Sequence, residues 1–90
     1  MTSRTATIHN SYGIHCRPAG VIAKQARQYE ADIQIDSGDG NKVAASNIMG
    51  LLTLGLSQGN SVQIEVDGPD EERIADEIRD LFEKKFEFER

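Results

Sequence analysis

From Ser61 to Asp67 apolar and polar side chains alternate without a break, with Val62, Ile64 and Val66 to one side and Gln63 and Glu65 to the other. Successive strand residues point to opposite faces, so this stretch is a strand with one face for a core and one for water. It has to pair within a sheet, and the apolar face of that sheet has to be covered. A chain of 90 residues has room for one domain, spanning 1–90, and one modest core. The cover must therefore come from helices in the same short chain.

The remaining segments supply it. Residues 2–9 alternate as well, with Ala6 and Ile8 on one face and threonines among the other positions, and read as a first strand. Residues 21–29 read as one amphipathic helix behind Pro18, with Ala19, Ile22, Ala23, Ala26 and Tyr29 in one stripe. Proline suits a first helical turn, because the N–H it lacks would have had no partner there. Residues 31–35 form a second strand through Ile33 and Ile35, a turn rich in glycine and short polar side chains fills 36–41, and 42–45 make a short third strand. Ser46 and Asn47 offer capping oxygens to a short helix over 48–54, which Gly55 closes. After the 61–67 strand, Pro69 and the acids Glu71 and Glu72 open a last helix with Ile74, Ala75, Ile78, Leu81 and Phe82 inside. Arg73–Glu77 and Asp80–Lys84 are supporting pairs on its outer face. Residues 86–90 alternate like a strand but are too short to count as one. The order βαββαβα with one buried sheet face predicts a two-layer α/β (α+β) sandwich, and the pattern fits a ferredoxin-like module equally well.

The formal charge of −5 lacks the basic footprint that nucleic acid requires. No apolar run reaches the roughly 18 residues of a membrane span, and Met1-Thr2-Ser3-Arg4 lacks the apolar centre of a signal segment. No membrane association is expected, and a cytoplasmic location is. Cys16 is the only cysteine, so no internal disulfide forms. His9 has no companions at metal-ligand spacing, and no metal or nucleotide motif is present.

The stretch Gly13-Ile14-His15-Cys16-Arg17-Pro18-Ala19 sets an imidazole and a guanidinium at the start of a helix. The first-turn amides of a helix point outward without intrahelical partners, and the helix dipole favours negative charge there, so phosphate is well received. Two readings of His15 are open: a surface imidazole that happens to precede a helix, or a nucleophile for a phosphoryl group. Arg17 suits the second, because its planar fork of donors matches phosphate oxygens and stays charged. Cys16 invites a rival reading as a catalytic thiolate, although adjacent helical residues do not face each other and His15 is badly placed to act as its base.

Asn10-Ser11-Tyr12-Gly13-Ile14-His15-Cys16-Arg17-Pro18-Ala19 resembles the active-site signature of the histidine-containing phosphocarrier (HPr) family of the bacterial phosphotransferase system. Ile48-Met49-Gly50-Leu51-Leu52-Thr53-Leu54-Gly55 resembles the second-helix signature of the same family. The resemblance covers nearly the whole chain. It implies an antiparallel four-stranded sheet with three helices on one face. It also implies a carrier rather than an enzyme: His15 takes a phosphoryl group from phosphorylated enzyme I and passes it to IIA proteins, with Arg17, the Cys16 backbone and the helix start at Pro18 holding the phosphate. No cofactor and no metal are implied, and a relay that docks twice through one face is expected to be a monomer.

Two departures stand out. Family members commonly carry alanine where this chain has Cys16. In Gram-positive members a regulatory serine immediately precedes the Ile-Met-Gly triplet, a place taken here by Asn47, which cannot be phosphorylated; Ser46 lies one residue earlier. Serine-kinase control is therefore expected to be absent or altered, with Ser46 a linker residue. Met49 and Leu52 are the expected partner contacts, a flexible thioether suiting a surface that meets unlike proteins. Two other functions stay open: an HPr-like module that binds a regulator instead of feeding sugar uptake, and a small ligand-binding domain without covalent chemistry.

Overall fold

A computed structural model of the chain describes residues 1–10, 13–14, 16–38 and 40–84. The elements run β1 (Thr2–Thr7), α1 (Cys16–Ala26), β2 (Asp32–Asp36), β3 (Lys42–Ala44), α2 (Ile48–Thr53), β4 (Ser61–Asp67) and α3 (Glu71–Glu83). The expected alternation at 86–90 lies outside the described residues.

Among the described residues the strands form one sheet in the order β1-β4-β2-β3, and every neighbouring pair is antiparallel. The strand with the cleanest alternation, β4, is thus central, between β1 and β2. Strands β1 and β2 run parallel with β4 between them, and β3 and β4 run parallel with β2 between them. The crossovers through α1 and α2 therefore interleave. This order separates the fold from the ferredoxin-like alternative, in which β1 and β3 are the central strands. The α+β sandwich expected from the sequence is the one observed.

One face of the sheet carries the core. Ala6, Ile33, Ile35, Val62, Ile64 and Val66 are buried, while Ser3, Thr5 and Asp67 between them are exposed. Ile22 and Ala23 of α1, Leu51 of α2, and Ile74, Ile78 and Phe82 of α3 complete the apolar layer, each on the inner stripe of its helix as the spacing of three and four requires.

Several boundaries differ from the sequence reading. Helix α1 starts at Cys16, so Pro18 is its third residue, still within the turn whose amides lack intrahelical acceptors. It ends at Ala26 rather than at Tyr29, because the last turn tightens: the N–H groups of Gln28 and Tyr29 donate to the carbonyls of Gln25 and Ala26, three residues back. Pro69 stands before α3 instead of inside it, and Asp70 at the cap has φ 58° and makes no side-chain cap bond. Glu71 and Glu72 in the first turn take over the favourable charge at that end.

Helix α3 also protects the outer strand. Thr2 Oγ1 donates to Glu71 at 2.8 Å, Arg4 Nε to Asp76 at 2.9 Å, and the Thr7 N–H to Glu83 at 3.0 Å. An open edge amide is a template for unwanted pairing, and the Glu83 carboxylate occupies the one at Thr7.

The far end of α1 is tied to α3 through Tyr29. Gln25 Nε2 donates to the Tyr29 hydroxyl at 2.7 Å, and that hydroxyl donates to Glu77, which also receives Arg73 at 3.1 Å. Hydrogen bonding from Tyr29, reinforced by Arg73, holds the Glu77 carboxyl below its ordinary value. Glu71 is likewise held low, chiefly by the Met1 amine and then by Thr2. A carboxyl depressed in the folded state stabilises above its unfolded value of about 4.3 and loses that contribution as pH falls through the folded value. Thermal stability measured from pH 7 downward should therefore hold to about pH 5 and then decline. The Tyr29→Phe chain should melt lower at pH 7 and show a shallower acid limb.

Candidate functional site

The segment between β1 and α1 is stitched to the segment that leaves α2. Past Thr7 the Ile8 N–H donates to the Asn60 carbonyl and the Ile8 carbonyl accepts from Gly59, both at 2.8 Å. Gln58 Nε2 then donates to the His9 carbonyl at 3.2 Å. At Gly13 the chains come closest. Gly13 has φ 68°, and a Cβ placed there would lie 2.2 Å from the Leu56 carbonyl oxygen. The next amide, Ile14 N–H, donates to that same oxygen at 3.1 Å. Glycine is needed at position 13 both for its dihedral and for its missing side chain. The Ile14 side chain is buried in the core.

Helix α1 opens two residues after Ile14. Cys16 and Arg17 are exposed, and Pro18 and Ala19 are buried. The first turn holds no acidic residue, so the positive end of the helix dipole is not offset from within, and the Arg17 cation adds to it. A cation at a helix amino terminus is unfavourable for the helix itself, by roughly 0.3–1 kcal/mol. A bound anion would reverse that sign. Pro18 has no amide to offer, so the N–H groups that this turn directs away from any intrahelical acceptor are those of Cys16 and Arg17. His15 and Tyr12 lie outside the described residues.

The second motif forms α2. Asn47 is its N-cap, its side-chain oxygen accepting the Gly50 N–H at 3.0 Å, an arrangement worth about 1 kcal/mol. Gly50 is buried, and a Cβ there would lie 3.0 Å from Val43 Cβ on β3, which explains the absence of a side chain. Leu54 caps the carboxyl end and Gly55 follows at φ 64°, as the sequence led one to expect. Met49 is 68% exposed, whereas Leu52 is half-buried and packs against the core. Ser46 is exposed, and its carbonyl accepts from Arg27 Nη2 at 3.1 Å. Among the described residues no group of His, Cys, Asp and Glu is arranged to hold a metal, and no helix is long and apolar enough to cross a membrane.

Sequence reasoning missed two residues here. Asn10 is 2% exposed, and its Nδ2 donates to the Gly13 carbonyl at 2.8 Å; its signal was a short amide side chain near a glycine, a habitual turn former. Leu56 supplies the carbonyl under Gly13, and nothing in its local pattern marks it.

The fold and this helix end define a small α+β protein whose open-faced sandwich carries an acid-free helix start with Arg17 exposed in it. A family profile described as "PTS HPr component phosphorylation site" matches residues 2–84. The chain is 39% identical over 83 residues to the phosphocarrier protein HPr of Borreliella burgdorferi, covering 92% of this chain and 95% of that protein. It is 34% identical over 89 residues to HPr of Treponema pallidum, covering 99% and 100%. The crystal structure of a phosphocarrier protein HPr from Bacillus anthracis superposes with a TM-score of 0.85 at 27% identity, over 91% of this chain and 96% of that one. The chain belongs to the HPr family of phosphocarrier proteins of the phosphotransferase system.

The contact at Gly13 can be weighed against Gly55, which has a similar φ but no neighbouring atom within 4 Å of where a Cβ would lie. Gly55→Ala should cost only the left-handed penalty of about 1–2 kcal/mol. Gly13→Ala adds a collision with backbone and should cost about 2–5 kcal/mol. Denaturant unfolding of the two variants would measure the difference.

Proposed function

We propose that this chain carries a phosphoryl group on His15, taking it from phosphorylated enzyme I and delivering it to IIA proteins. The observation that carries the proposal is the α1 amino terminus: a first turn free of acid, with exposed Arg17 in it, directly follows His15 in the chain. A ring nitrogen of neutral imidazole attacks the phosphorus, its lone pair forming the new N–P bond as the bond to the donor's nitrogen breaks. The charge on the three equatorial oxygens is met by Arg17 and the amides of the first turn, among them Cys16. Phosphoryl transfer asks little else of a protein than such positioning and electrostatics. The second transfer reverses the roles, with a IIA nucleophile displacing His15. Pro18 sets where the helix opens, and Cys16 takes no part through its thiol.

Incubation with enzyme I and phosphoenolpyruvate should give an acid-labile adduct that is absent from His15→Ala; a phosphate surviving that substitution would defeat the proposal. Arg17→Ala should slow transfer by about 10- to 100-fold, the kinetic equivalent of a charge-assisted hydrogen bond of about 1.5–3 kcal/mol.

Partner docking falls to the α2 surface in this reading, with exposed Met49 at its centre and Leu52 beside it. Asn47 serves as the helix cap and leaves no hydroxyl at the regulatory position, so a serine kinase has no substrate there. The protein acts as a cytoplasmic monomer that offers one surface to each partner in turn. Met49→Glu should weaken transfer to and from partners severalfold while leaving the melting temperature unchanged, because a side chain in water loses little packing on exchange.

A further inference from the structure

The peptide plane between Gly13 and Ile14 is gripped at both ends by groups from different parts of the fold. Its carbonyl accepts from Asn10 Nδ2 at 2.8 Å, and its N–H donates to the Leu56 carbonyl at 3.1 Å. A peptide unit is planar and stiff, so two partners on opposite edges leave it no rotation. The Asn10 carbonyl also accepts the Gly13 N–H at 2.9 Å, which makes the clasp between residues 10 and 13 reciprocal. Asn10 is the buried polar side chain among the described residues, 2% exposed, on a small protein where a buried amide is retained only if its hydrogen bonds are made.

Downstream, Ile14 is anchored in the core and Cys16 begins α1. His15 is the single residue between these anchors. We propose that Asn10 is a positioning residue for phosphoryl transfer: by clamping the Gly13–Ile14 peptide it sets the direction in which the chain enters His15. The inference rests on the carrier reading above and adds the residue that aims the nucleophile. Aspartate has the shape of asparagine but would turn an acceptor towards the Gly13 carbonyl, and alanine would leave that carbonyl without its side-chain partner. A misplacement of about 1 Å at a reacting group costs on the order of 100-fold in rate, so partial loosening of the clamp should be plain in the kinetics.

The test compares Asn10→Ala, Asn10→Asp and a control, Ile78→Val, which trims the core under α3 away from this loop. For both Asn10 variants transfer from phosphorylated enzyme I should slow about tenfold through kcat, with KM within twofold of the unmutated chain because the docking surface is untouched. Amide exchange of Ile14 should quicken while the amides of β4 stay protected. The control should keep its kcat and its Ile14 protection. Unchanged Ile14 exchange, an unchanged kcat, or an equal loss in Ile78→Val overturns the inference, as does unfolding of both Asn10 variants, which would give the residue to the fold alone. The carrier reading is judged separately, by whether the unmutated chain takes phosphate on His15.

Discussion

The Leu56 carbonyl is the contact on which the candidate site of this protein depends. It sits where a side chain on residue 13 would have to go and accepts the amide of residue 14, so Gly13 and Ile14 have one path across the segment leaving α2. From that path follow the burial of Ile14, the opening of α1 at Cys16 and the exposure of Arg17. At this oxygen the first family motif meets the chain just beyond the second. Leu56 lies just past the second motif, so anything that shifts the exit of α2 is felt at the loop before α1.

The sheet makes that meeting available. With β4 inserted between β1 and β2, the end of β1 lies beside the start of β4: Thr7 is paired with Ser61, and the bonds from Ile8 to residues 59 and 60 continue the pairing beyond it. Ile8, just past β1, is in effect an extension of the β1–β4 ladder. At the other edge of the sandwich, α3 holds β1 through Glu71, Asp76 and Glu83. Surface contacts of this kind contribute little one at a time, but this ion pair and these two hydrogen bonds lie along an edge strand and fix how the helix runs over it. The Tyr29 bridge joins α1 to the same helix, at the end of α1 remote from its opening turn.

The elements themselves were legible because their periods are local. Alternation marked β4 at its observed limits, and the stripes through Ile22 and through Ile78 marked the buried faces of α1 and α3. Asn47 and Gly55 announced the two ends of α2 through cap chemistry that acts within a few residues. Boundaries were less legible. Pro18 drew the expected start of α1 too late, because proline is compatible with any place in the first turn, and Pro69 drew α3 too early. At the site, Arg17 and the exposed Met49 could be nominated from residue type and spacing. Asn10 could be marked only as a turn former, since its bond to Gly13 depends on a burial that the sequence around it did not suggest.

The sequence by itself determined a two-layer α+β protein, the inward face of each element and the motifs that resemble the HPr family, because each depends on chemistry repeated or juxtaposed over a short stretch. Only the tertiary structure decided that β4 enters between β1 and β2, that Gly13 lies against Leu56, and that Asn10 and Leu56 hold opposite ends of one peptide. Those contacts join segments whose local patterns are equally satisfied by other strand orders. Burying a single shared core selects among them.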